Sequence, residues 1–330
     1  MVPELLAEWT ALLEALPEGL DPAFASLYGK LFHSPVGQVI SGKLLDVDAS
    51  RLAAMQEAHI DFAILSLTAP GVQLFAAAKA NDYSRKVNDF LAAVVARHPD
   101  RYAGLATFSP LDPQGAVQEL RRCASELGLC GALINSHTQG RYLDAPEQAP
   151  VLAALEELGL PLYLHPQTPS PAMAAPYLAY GLEGPGWGFA AETGLHAMRM
   201  ILGGVFDRHP NLKVVLGHLG EGIPWWFSRI DSRFQMAAHF KGAGVRLKKP
   251  PSEYFKTNFY VTTSGMSDDK NMKFAIDAVG VDHVLFATDH PYENMGQASQ
   301  SLDGLNVDPA AKAKISSRNA IKLFRLDLQT

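Results

Sequence analysis

Cysteine is scarce in this chain of 330 residues, and its two copies, Cys123 and Cys130, form neither a CxxC pair nor a metal-finger spacing. That excludes a disulfide framework and a thiolate metal site. Both read as reduced, buried small side chains. Cationic surplus is missing as well: the net charge is −6 and the pI near 6.0, which excludes nucleic acid as the expected partner. The one compact basic run, Arg246 to Lys249, reads as a solvated loop. No stretch approaches the roughly 18 apolar residues of a membrane span, and the first residues carry neither a basic segment nor a long apolar one. No membrane role is expected, and the cytoplasm is the expected compartment. A phosphate-cradling glycine loop is also absent. Gly217-His-Leu-Gly-Glu-Gly222 misses the dinucleotide spacing and places His and Glu where small residues belong.

What remains is a chain that is 48% hydrophobic and 19% charged, enough for one large core and without a composition break to suggest two. Residues 1–330 are expected to form a single domain. Within it, residues 1–47 read as a helix followed by a lid-like loop containing His33, and residues 166–190 as an irregular insertion rich in Pro and Gly. From Asp48 onward helices and short apolar strands alternate. The spacing predicts strands at 62–67, 102–108, 131–135, 162–165, 212–216, 259–263 and 284–287. It predicts helices at 50–58, 81–97, 113–127, 149–158, 191–206, 222–239, 268–279 and 309–325. Such alternation implies parallel strands joined by right-handed crossovers. The fold class is α/β, a TIM (β/α)8-type barrel, and since only seven strands are readable it lacks its first strand in this chain.

Three strands end in groups that bind metals or move protons. Val284–Ala287 leaves no polar face and runs directly to Asp289, with Pro291 and Asn294 stopping the run. Leu162-Tyr-Leu-His-Pro166 ends in His165, and Val214-Val-Leu-Gly-His-Leu-Gly-Glu221 puts His218 just past the strand tip. In a barrel of this kind the strand tips form the active-site face, so His165, His218 and Asp289 converge. Taken singly, each has a blander reading: a satisfied core histidine, or an Asp that caps the next helix. Imidazole with carboxylate suits a divalent ion such as zinc or manganese, although His165 and Asp289 are two donors where about three or four are usual. Glu221, three residues after His218, is placed either to orient that imidazole or to complement a helix dipole.

Five motifs carry a resemblance: Leu162-Tyr-Leu-His-Pro166, Gly217-His-Leu-Gly-Glu-Gly-Ile-Pro224, Thr262-Thr-Ser-Gly265, Phe286-Ala-Thr-Asp-His-Pro291 and Arg318-Asn-Ala-Ile-Lys-Leu-Phe324. Two further segments extend it, Leu65–Gln73 and Gly184–Thr193. Together they resemble the decarboxylase branch of the amidohydrolase superfamily, of γ-resorcylate or salicylate decarboxylase type. The resemblance implies that His165 and Asp289 hold a divalent metal, zinc foremost with manganese and magnesium as alternates, without an organic cofactor. It implies that Asp289, His218 and Glu221 are catalytic and that Asn135, Phe189 and Arg229 bind substrate, Arg229 from a neighbouring subunit. A homodimer or homotetramer follows. Trp187, Trp225 and Trp226 read as further pocket walls or as core.

The implied reaction is non-oxidative loss of CO2 from an ortho-hydroxybenzoate, with Asp289 as acid to the ring and His218 as base to the phenol. Lactone or amide hydrolysis by the same groups is one alternative, and a metal-free binding or assembly protein is another. The departure from the family pattern is a missing Glu-x-His or His-x-His pair on a first strand, for His33 is the sole histidine before residue 59. The chain reads as beginning just after that motif. The missing strand and the missing ligands are one observation.

Overall fold

Runs such as Gly131-Ala-Leu-Ile-Asn135 bury every residue, which suits a parallel strand covered on both faces. The computed structural model describes residues 1–237 and 246–328. It contains one sheet of seven parallel strands in sequential order. These are β1 (Ala63–Leu65), β2 (Tyr102–Thr107), β3 (Gly131–Asn135), β4 (Leu162–His165), β5 (Val214–Leu216), β6 (Phe259–Thr262) and β7 (Val284–Leu285). All seven predicted strands are present, with ends shortened by up to two residues. The sheet curls into a barrel that lacks one strand, and among the described residues β1 and β7 do not pair.

The pleat turns alternate residues of each strand inward. Register aligns Leu133 with Tyr163, Tyr163 with Val215 and Val215 with Tyr260. With Ile64, Leu105 and Leu285 these form the lumen layer, which Leu323 and Phe324 close from below. The outward residues, Leu162, Leu164, Val214, Leu216 and Phe259 among them, pack under the helices as the main core. A cavity of about 330 Å³ opens between the β1 and β7 flanks, bounded by lumen residues, Phe324 and the residues at the strand tips.

The outer edge of β7 is not left bare. Leu285 faces β6, where its carbonyl accepts from Thr263 N–H at 3.0 Å, so Val284 and Phe286 point away from the sheet. The Asn319 amide donates to Val284 O and Val281 O, each at 2.8 Å, and Phe286 N–H donates to Ile315 O at 2.9 Å. The predicted helix 309–325 is broken to do this. It runs as Pro309–Ala313, a wide turn Lys314–Arg318 and Asn319–Phe324.

Residues 1–47 correct the expected lid-like loop. They hold three helices, Pro3–Ala15, Pro22–Phe32 and Pro35–Leu45. The prolines that read as interruptions start helices, because a first-turn residue has no intrahelical N–H partner to lose. Asp21 accepts from Ala23 N–H and Phe24 N–H, and Ser34 accepts from Gly37 N–H, each as an N-cap. His33 ends the second helix. Trp9 is fully buried and its indole donates to Gly71 O at 2.9 Å, tying this layer to the loop after β1. Elsewhere the predicted helix 222–239 begins with irregular turns and is regular only over Phe227–Ala237, and its last two residues lie outside the described residues.

Replacing Asn319 by Ala leaves the buried Val284 carbonyl on the β7 edge without this donor and takes one of two donors from the half-buried Val281 carbonyl just before it. The expected loss is about 2 kcal/mol or more of unfolding free energy, read from urea denaturation. An unchanged midpoint would show that this edge needs no cap.

Candidate active site at the strand tips

His165 ends β4 with its ring fixed by one contact, Nδ1 donating to Pro166 O at 2.9 Å. That bond selects the tautomer with a free lone pair on Nε2, as a metal-binding imidazole requires. The next strand tip, at β5, runs into an unusual turn. His218, Leu219, Gly220, Glu221 and Gly222 all have positive φ, from 49° to 87°, so the chain makes one turn of left-handed helix. Gly220 is obligatory there, since an added Cβ would lie 3.0 Å from Val261 and 3.1 Å from Phe255. Gly222 serves the same turn, with φ at 76°.

The turn brings Glu221 back beneath His218, whose Nδ1–H donates to Glu221 Oε1 at 2.7 Å. On the other side of the ring, Nε2 lies 3.7 Å from Asp289 Oδ2. Asp289 follows the end of β7 by four residues and also has a positive φ, 54°. One imidazole is thus bracketed by carboxylates from two segments. Burial alone would favour neutral His218, but the hydrogen bonds and charges of Asp289 and Glu221 outweigh it and raise the ring to about 10. Burial works against ionised Asp289 too, yet His218 and His165 hold its carboxyl below the usual range. Burial lowers His165 despite Asp289 nearby. The resting proton therefore sits on His218.

His165 and Asp289 line the same cavity, together with Tyr163, Thr262, Ser264, Thr68 and Tyr292. Across the mouth of the seam Thr68 Oγ1 and Tyr292 OH are 2.8 Å apart. Sequence reasoning passed over Tyr292, although it lies three residues after Asp289. Arg51, also on the cavity lining, carries no sequence signal at all.

The donors suit a divalent ion in kind, one imidazole and one carboxylate. In number they fall short. Among the described residues no group of three or more His, Cys, Asp or Glu side chains is arranged to hold an ion. His165 and Asp289 are the residues that would hold such an ion.

Three predicted binding residues lie off the cavity lining. Asn135 sits at the β3 tip in register with His165, fully buried, its backbone N–H and C=O both taken by the Gln73 amide. Phe189 is half-buried in the helix Gly188–Leu202. Arg229 is exposed on the helix Phe227–Ala237. Trp187, Trp225 and Trp226 are 62%, 70% and 53% exposed, so they are neither core nor cavity wall in this chain.

A family profile described as amidohydrolase matches residues 45–326. The chain belongs to that family. Within it, the chain is 38% identical over 324 residues to the γ-resorcylate decarboxylase of Rhodococcus jostii (strain RHA1), covering 95% of this chain and 96% of that protein. Two solved relatives share its fold closely. The 5-carboxyvanillate decarboxylase of Novosphingobium aromaticivorans, complexed with manganese and 4-hydroxy-3-methoxy-5-nitrobenzoic acid, superposes with a TM-score of 0.95 at 37% identity, over 98% of this chain and 93% of that one. The dihydroxybenzoic acid decarboxylase of Polaromonas sp. JS666, with bound manganese and 2-nitroresorcinol, gives a TM-score of 0.86 at 36% identity, covering 95% of each chain. These family members are carboxy-lyases, and both structures hold a divalent metal.

Behind the tips of β3 and β4 lies a buried polar cluster. His137 Nε2 donates to Thr168 O at 3.0 Å while Nδ1 accepts from Gly140 N–H at 3.1 Å. Glu192 Oε2 accepts from Ser170 N–H at 3.0 Å, and His196 Nε2 accepts from Leu143 N–H at 3.0 Å. Burial, then the charges of His137 and Arg199, push His196 down to about 3. Unfolded, that imidazole binds a proton below about 6.5. The unfolded state thus holds the extra proton across this window, and stability falls as pH drops from 6.5 toward 3. Between pH 7.5 and 5 this site should remove about 2 kcal/mol, a loss that His196→Asn abolishes in paired urea titrations.

Proposed function

We propose that this chain is a non-oxidative carboxy-lyase acting on an ortho-hydroxybenzoate of γ-resorcylate or salicylate type, with a divalent ion and no organic cofactor. The observation that carries the reading is a chain of contacts at the strand tips: His165 and Asp289 line one cavity, Asp289 faces His218, and Glu221 holds His218 from behind. The family's decarboxylases support it, and a cavity of about 330 Å³ suits a single-ring acid. Manganese replaces zinc as the favoured ion, since both solved relatives carry it. When bound at His165 and Asp289, the ion supplies Lewis acidity to substrate oxygens.

The chain's own residues handle one proton. Resting His218 is cationic, so in this reaction it first passes its Nε2 proton to Asp289, whose Oδ2 lies 3.7 Å away. Neutral His218 then takes the phenolic proton, and Asp289 delivers its own to the ring carbon bearing the carboxylate. The carbon–carboxyl bond breaks, its electrons restore the aromatic ring, and CO2 leaves with the product as phenolate. Glu221 keeps Nδ1 protonated, so that Nε2 is always the nitrogen that exchanges.

Arg229 acts on a neighbouring subunit, which makes the protein a homodimer or homotetramer. The helix Phe227–Ala237 that carries it buries none of its described residues, and Met236 on it and Trp225 and Trp226 just before it are exposed. Among the described residues no helix is long and apolar enough to cross a membrane. The free thiols suit the cytoplasm.

Incubation in D2O with γ-resorcylate, salicylate or 5-carboxyvanillate should release CO2 and place one deuterium on the ring carbon that lost the carboxylate. Acid release with solvent oxygen in the product would instead establish lactone or amide hydrolysis. Asp289→Asn should lower kcat by about 10²–10⁴-fold. Chelation should abolish turnover and manganese restore it. Because two protein donors are few, elemental analysis also tests a second reading, a metal-free binding or assembly protein.

A further inference from the structure

The motif Thr262-Thr-Ser-Gly265 at the tip of β6 has no part in the reaction above, yet it lies directly against the left-handed turn that carries His218. Ser264 Oγ accepts from His218 N–H at 3.4 Å. Ser264 Oγ and Thr262 Oγ1 are 2.7 Å apart, and Thr262 Oγ1 and Tyr163 OH 3.2 Å apart. Each hydroxyl has one proton and two lone pairs, so Ser264 accepts from the backbone of His218 and still pairs with Thr262, as Thr262 does with Tyr163, either partner being able to donate. Thr262 and Ser264 are buried, and all three hydroxyl residues line the cavity. Gly265 completes the fit: an added Cβ there would stand 3.2 Å from Cδ2 of the His218 ring.

The need for such support is physical. A non-glycine residue in the left-handed region costs roughly 1–2 kcal/mol, and His218, Leu219 and Glu221 all adopt it in succession. A turn of that kind persists only where its surroundings hold it. Gly220 N–H closes it internally on Gly217 O at 2.7 Å. Ser264 holds it from outside, at the residue whose φ decides where the imidazole aims. We propose that the hydroxyl ladder of Ser264, Thr262 and Tyr163 is a positioning device for His218, with Ser264 the residue in contact. The inference rests on the reading that His218 moves the proton.

Ser264→Ala removes the acceptor, Ser264→Thr keeps it, and Thr262→Val removes the next rung. In the manganese-loaded enzyme Ser264→Ala should lower kcat about 10- to 100-fold, as a misplaced group does, while KM stays within about twofold. Ser264→Thr should recover most of that loss. A second readout needs no turnover: the 1H–13C ring resonance of His218, assigned with His218→Gln, should shift or broaden in Ser264→Ala and Thr262→Val but not in Ser264→Thr. If Ser264→Ala does not fold, Thr262→Val carries the same comparison. Wild-type kcat with an unmoved ring resonance, whatever the melting temperature, overturns the proposal. Absence of carboxy-lyase activity in the wild type would sink the proposed function alone, since the ring resonance still decides whether the ladder sets His218.

Discussion

One imidazole held between two carboxylates organises the mouth of this barrel. His218 donates to Glu221 at 2.7 Å and faces Asp289 at 3.7 Å. Without the cation between them, two carboxylates would face one another in a half-desolvated site, where like charges are costly. The bracket also explains the backbone. A left-handed turn is the shape that folds Glu221 back under His218 within three residues, and its strain is repaid by the contacts it makes possible.

The same bracket sets the chemistry. An imidazole raised to about 10 rests as an acid, whereas a free histidine near pH 7 would serve mainly as a base. Asp289, held ionised, rests as a base or ligand. In the proposed reaction, exchange of one proton between them reverses both roles, so that one cycle deprotonates a phenol and protonates a ring.

The barrel around the site is closed by means other than strand pairing. Seven strands supply the lumen layer, while the β7 edge takes side-chain and backbone bonds from the C-terminal segment. Thr68 and Tyr292 span the seam at the mouth, and three N-terminal helices are tied to the loop after β1 through Trp9. Unpaired strand edges invite association with other chains, and covering them with helix and loop is a common remedy. The cavity left in this seam is continuous with the strand tips, which gives a ligand there access to His165 and Asp289 from one side.

Apolar runs of four to seven residues separated by amphipathic helices were enough to number and place all seven strands, because burial on both faces leaves a continuous signal. The same regularity put His165, His218 and Asp289 at strand tips. Local sequence was misleading where one residue type has two uses. Pro22 and Pro35 lie in the stretch read as a lid-like loop but begin helices, and the glycines of Gly217–Gly222, which miss the dinucleotide spacing, permit a left-handed turn. Asn319, Ser264 and Tyr292 carried no periodicity and joined their partners only through the fold. What the chain dictated alone was the order of its elements and the kind of group at each tip, since both follow from short-range hydrophobic pattern. Which nitrogen faces which oxygen, where the resting proton lies and what closes the open seam were decided by tertiary structure, because each depends on distances between segments some 30 to 220 residues apart.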